Sequence, residues 1–137
     1  PESSVFAAKD CKYVFNFTTG APWNKMYLRE FVEQNQLSFL ETESYNDLSM
    51  TYNALLVAER ISYIDEVFTH YRVNNPKSLQ GNRYNTIENL FTALNEIENK
   101  ILCGTYENII EISFVNFIIS LFANLLRNTN DDEILVK

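Results

Sequence analysis

Glycine and proline are nearly absent: three of each occur in 137 residues. Turn-rich all-β domains and phosphate-cradling loop proteins use many more, so this scarcity predicts a mainly helical chain with a few short strands. Enough apolar material is present to fill a core, since 46% of residues are hydrophobic and 14% aromatic, including ten Phe and eight Tyr. The length suits one compact domain, or part of one. Eleven scattered Lys and Arg against a net charge of -7 exclude a nucleic-acid surface, which needs clustered cations. Cys11 and Cys103 stand far apart and belong to no CxxC, which favours a reduced, cytoplasmic setting over a zinc site or a disulfide framework. Pro1-Glu2-Ser3-Ser4 lacks the features of a signal peptide and reads as the interior of a longer chain.

Along the chain, Lys12 to Phe17 is aromatic and β-branched and predicts a short strand that ends at Thr18-Thr19-Gly20-Ala21-Pro22. Met26, Tyr27, Phe31 and Val32 fall on helical spacing, so a helix is expected from Lys25 to about Asn35, capped by Asn24. A second helix, starting at Asn46 or Asp47, places Leu48, Tyr52, Leu55, Leu56 and Glu59 on one face. Ile61 to Ile64 and Val67 to Val73 have strand composition, and Asn74 to Ser78 closes them off.

Beyond Gly81 the pattern changes to long helices. Ile87, Leu90, Phe91, Leu94, Ile97, Ile101 and Leu102 form an amphipathic face that Gly104 is expected to end in the left-handed conformation. The last helix, Glu107 to Arg127, carries one narrow polar stripe, Ser113, Asn116, Ser120 and Asn124, on an otherwise apolar cylinder. Such a helix needs cover on most sides. Its charge-free stretch, 112–126, is about 22 Å long at about 1.5 Å per residue, against a bilayer core of roughly 30 Å. Burial in a core is therefore expected, with a contact to a second copy or a membrane surface through 106–127 as the alternative. Thr129 to Glu133 is polar, and residues 129–137 are expected to be a flexible tail.

No Gly-rich phosphate loop, HExxH, GxSxG or local cluster of metal ligands occurs. Taken singly, His70 is a packing residue of a strand, Asp47 a helix cap, Trp23 a core aromatic and Arg72 a surface residue. Their order changes that reading. Ala21-Pro22-Trp23-Asn24-Lys25-Met26-Tyr27, a helix, Asn46-Asp47-Leu48, a second helix, Ile61 to Arg72, and Ser78 two residues after Pro76 together resemble the later half of family 2 glycosyltransferases. There the corresponding string runs Trp-Asn-Lys-Leu-Tyr, Glu-Asp, Tyr-Ile-Asp-Glu, Tyr-Tyr-Arg and Ser.

The resemblance implies the carboxy-terminal, acceptor-side portion of an α/β GT-A fold over residues 1–80, followed by a helical hairpin extension over 81–128. It implies transfer of a sugar, with inversion, from a nucleoside diphosphate donor to the hydroxyl of a glycan or lipid-linked acceptor. Asp47 matches the family's catalytic base, able to take the hydroxyl proton during attack on the anomeric carbon. A helix amino terminus depresses a carboxylate pKa, and burial against aromatics raises it. Asn46 stands where the family has Glu, which leaves that carboxylate's role unfilled. Trp23 and Lys25 match residues near the acceptor, where Trp23 can stack on a sugar face. Arg72 and His70 match residues near the donor diphosphate, where Arg72 can stabilise the leaving group. The family also uses Mg or Mn held by an Asp-x-Asp motif in an amino-terminal nucleotide-binding half. No Asp-x-Asp occurs in this chain, so the isolated segment is expected to be inactive alone. The alternative is a non-catalytic helical interaction module or a membrane-peripheral one.

Overall fold

A computed structural model of the chain describes residues 5–11, 13–72, 86–104, 106 and 108–127. The protein is mainly helical. In chain order the elements are β1 (Val5–Phe6), a short 3-10 turn (Ala8–Asp10), α1 (Val14–Phe17), α2 (Arg29–Gln34), α3 (Asn46–Val57), β2 (Ile61–Ser62), α4 (Ile87–Cys103) and α5 (Asn108–Arg127). The two strands pair antiparallel, with Val5 opposite Ser62 and Phe6 opposite Ile61.

α3 is the central element. It begins at Asn46, as the spacing predicts, after Tyr45 turns the chain in the left-handed region at φ 57°. Leu48, Tyr52, Leu55 and Leu56 are buried, and so are Ser49, Met50, Thr51 and Ala54 on its other sides, so the helix is covered nearly all round. Glu59 lies past its end and is exposed. α4 packs on α3, with Leu90, Ala93, Leu94, Ile97 and Ile101 buried; of the amphipathic face read from the sequence Leu90, Leu94, Ile97 and Ile101 are buried, whereas Phe91 and Leu102 are exposed. α5 packs on α1 through Ile110, Phe114 and Phe117. One continuous cluster of buried side chains runs from Ala8 through α1, α3 and α4 to Leu125. Full burial of each large apolar side chain in it contributes about 1.5–3 kcal/mol.

Several expectations are corrected. In the region expected as a strand, Val14–Phe17 is one helical turn, and Lys12 lies outside the described residues. The turn lets Phe15 meet Tyr52, Phe114 and Phe117, with ring centroids 5.3, 5.1 and 5.8 Å away, and this packing outweighs the local β-propensity. The helix expected from Lys25 starts at Arg29 instead. Pro22 to Lys25 forms a turn closed by the Lys25 amide on the Pro22 carbonyl at 3.1 Å, and Asn24 Oδ1 accepts from Lys25 Nζ rather than capping a helix. Met26 is 94% exposed and takes no part in a core, while the helix ends at Asn35 as expected.

Of the two short strands or extended segments expected between Ile61 and Val73, Ile61–Ser62 forms a ladder. Residues 63–72 are exposed and outside any ladder, and Val73, the Asn74–Ser78 closure and Gly81 lie outside the described residues. Gly104 is not left-handed: its φ of -88° and ψ of 166° are extended. Glycine is required there by close approach instead, because a Cβ would run into the Tyr106 ring.

α5 is buried on one side only. Ile112, Val115, Ile119 and Leu126 are exposed, contrary to the expected cover on most sides. With Arg127 counted in, the 18-residue stretch Ile110–Arg127 is long and apolar enough, by length and composition, to cross a membrane.

Candidate functional site

The loop from Thr18 to Lys25 is fastened to α3. The Tyr52 hydroxyl donates to the Thr18 carbonyl at 3.1 Å, and the Thr51 hydroxyl to the Gly20 carbonyl at 3.0 Å. Gly20 itself sits where any Cβ would strike the Leu48 side chain, so glycine permits the loop's close approach to the helix.

Lys25 organises the loop from within. Its Nζ donates to the carbonyls of Thr19 and Ala21 at 2.7 and 2.6 Å and to Asn24 Oδ1 at 2.8 Å. All three ammonium protons are thereby used, which makes Lys25 a holder of the loop as well as a charge beside Asp47. Burial pushes its pKa down to about 8, with the Asp47 carboxylate acting in the opposite direction.

Asp47 occupies the first turn of α3 and is half-buried. Burial raises its carboxyl above the ordinary range, while the backbone amides of Asp47 and Leu48 and the charge of Lys25 pull it down. Burial outweighs the helix amino terminus here. The result is a carboxylate more basic than a solvated aspartate, with an ammonium group nearby to balance its ionised form.

Trp23 lies on the outer edge of the same loop, half exposed and stacked on Tyr71 with ring centroids 4.9 Å apart and an angle of 3° between planes. The Thr69 hydroxyl donates to the Trp23 carbonyl at 3.3 Å. The core-packing reading of Trp23 is thus set aside. Thr69 and Tyr71 bring the 63–72 segment against Trp23, and His70 and Arg72 follow it as exposed residues. Lys25 and Asp47 are thus neighbours, and Trp23 belongs to the loop that carries Lys25. His70 and Arg72 are attached to it through Tyr71, without any described hydrogen bond or ion pair to Asp47.

Tyr27 was not expected at this site. Its phenol is shifted upward by burial, an effect the Thr51 hydroxyl partly offsets. The helical spacing of Met26 and Tyr27 pointed to α2 and concealed that Tyr27 turns back towards α3.

Among the described residues no group of three His, Cys, Asp or Glu side chains could hold a metal ion. The Mg or Mn that the family resemblance implies finds no ligand set there, and no chemical step is assigned to it.

A cleft of about 310 Å³ elsewhere is lined by Gln36, Ser38, Ser49, Asn53, Asn99 and Lys100, among others. At about 100° per residue, Ser49 and Asn53 lie about 200° and 240° around α3 from Asp47, so the cleft opens away from the Trp23 region. None of the sequence-predicted site residues lines it. Comparison with protein-family models, with curated proteins and with solved structures finds no match to this chain.

Proposed function

We propose that this chain is the acceptor-side part of an inverting, family 2-like glycosyltransferase, with Asp47 as the general base. The observation that carries the reading is that Asp47, at the amino end of α3, and Lys25, in the loop that also bears the half-exposed Trp23, lie close enough for their charges to interact. An exposed indole, a carboxylate made more basic by burial and a charge-balancing ammonium are what deprotonation of a sugar hydroxyl needs.

In the reaction, the acceptor ring stacks on Trp23 and presents a hydroxyl to Asp47. As the hydroxyl oxygen bonds to the anomeric carbon of the donor, its proton passes to the Asp47 carboxylate. The bond from that carbon to the diphosphate oxygen breaks, and its electron pair leaves with the nucleoside diphosphate. Arg72 and His70, which match the family's residues near the diphosphate, are assigned to meet that negative charge. Lys25 keeps the loop in shape and Asp47 ionised. The nucleotide-binding half, with the metal ligands, is supplied by sequence outside this chain, and the segment alone does not turn over. A cytoplasmic location, where nucleotide sugars are available, fits this chemistry.

Trp23 is the chain's single tryptophan, so its emission reports this site directly. Titration with a panel of neutral mono- and oligosaccharides should give a saturable change for some members, and Asp47→Asn should alter its midpoint. A flat response to every saccharide would contradict an acceptor site.

A second reading, a helical module that docks through α5, is favoured by one observation: the apolar stripe that α5 leaves exposed.

A further inference from the structure

α5 has two apolar faces. At about 100° per residue, the buried Ile110, Phe114, Phe117 and Leu125 cluster on one side. Ile112, Val115, Ile119 and Leu126, between 53% and 61% exposed, cluster on the other. Phe122 borders that second face and meets Phe91 of α4 at a ring distance of 5.9 Å, which widens the patch. Asn116 and Ser120 lie to one flank and are exposed.

The spacing of the exposed face is informative. Ile112, Val115, Ile119, Phe122 and Leu126 alternate three and four apart, the heptad spacing of a seam that packs against another helix. A helix packed only within its own domain needs one such stripe. This one has a second, whose Ile112, Val115, Ile119 and Leu126 are exposed and which meets the rest of the described residues at its Phe122 edge.

Charge selects the occupant and its direction. No charged residue lies between Ile112 and Leu126, while Glu111 and Arg127 bracket the seam. Ile119 is midway between 111 and 127, and also midway between 112 and 126. We infer that α5 pairs antiparallel with α5 of a second copy of this chain, about a two-fold axis beside Ile119.

That arrangement brings Ile112 of each copy level with Leu126 of the other. It places Glu111 at the same end of the seam as Arg127 of the other copy, at both ends. Parallel pairing would collect like charges at each end and align the helix dipoles unfavourably. An anionic membrane is a poorer fit, because Arg127 is the only basic residue of α5 and the chain is acidic overall. The seam is short beside interfaces of about 1,200 Å² and more, so the dimer is expected to be weak and concentration-dependent. This inference does not depend on the sugar-transfer reading.

Sedimentation equilibrium on the whole chain tests it. The expected result is a reversible monomer–dimer equilibrium. Ile119→Glu should abolish it with an unchanged far-ultraviolet circular dichroism spectrum, since the position is exposed. Glu111→Arg should weaken association by roughly three- to tenfold, and Glu111→Arg with Arg127→Glu should restore it. Three results would overturn the inference: a monomer at every concentration, self-association unaffected by Ile119→Glu or by the charge changes, or a monomer that co-sediments with phosphatidylcholine vesicles.

Discussion

Asp47 and Lys25 have shifts that oppose ordinary pairing, and the consequences can be worked out by sign. The folded-state pKa of Asp47 is raised, so its contribution favours the folded state at acid pH and is lost as pH rises through that raised value. For Lys25 the folded pKa of about 8 lies below the unfolded 10.5. Its contribution is present above the unfolded value and is lost as pH falls from there through about 8. Burial therefore works against the charged form of both residues, the opposite of what a stabilising ion pair shows. By the same linkage the Thr19–Asn24 loop, which buries Lys25, should be held more tightly as pH rises through about 8, with one ammonium hydrogen bond given up and the desolvation of the charge relieved. Trp23 emission should change in that range, ahead of tyrosine ionisation, and the change should be missing in Lys25→Met. At this scale residue order in the sequence singles out Trp23, Lys25 and Asp47, of which Lys25 and Asp47 interact through their charges and Trp23 shares the loop of Lys25. The three acceptor oxygens around Lys25 Nζ could not be foreseen, because two of them are backbone carbonyls whose positions depend on the turn.

Among the elements, legibility followed the length of the apolar pattern. α3 and α4 were readable because each repeats its apolar spacing over several turns, and the side chains picked out on α4 include Leu90, Leu94, Ile97 and Ile101, all buried. Short elements were misread where tertiary contacts decide. Val14 and Phe15 have strand propensity but take one helical turn so that Phe15 can sit among Tyr52, Phe114 and Phe117. Gly104 was recognised as special for the wrong reason, since the constraint is the Tyr106 ring rather than a positive φ. Two substitutions separate these effects. Ile97→Ala, at a position with no exposure, should cost about 2–5 kcal/mol in chemical denaturation. Gly104→Ala should also destabilise, and Tyr106→Ala should relieve that effect, because removing the ring removes the clash. Independent, additive losses from Gly104→Ala and Tyr106→Ala would argue against the close-approach account.

On the scale of the whole molecule, the buried cluster joins residues from Ala8 to Leu125, so the carboxy-terminal helices belong to the same core as the candidate site. α5 reaches the site region through α3: Phe117 touches Tyr52 at a ring distance of 4.7 Å, and the Tyr52 hydroxyl holds the Thr18 end of the loop. Phe117→Ala should therefore destabilise the protein by about 3–5 kcal/mol and also shift Trp23 emission, although the two residues do not touch. Mainly helical architecture was legible from the low glycine and proline content. The one-sided cover of α5 was not, because an apolar helix reads alike whether one face or both are buried. The central claim is that Asp47 removes the acceptor proton. The most direct measurement is sugar transfer from a nucleoside diphosphate donor by a polypeptide that joins this segment to its nucleotide-binding half, wild type against Asp47→Asn. Turnover should fall by at least about a hundredfold with thermal stability at neutral pH kept or slightly raised; turnover near that of the wild type would contradict the assignment.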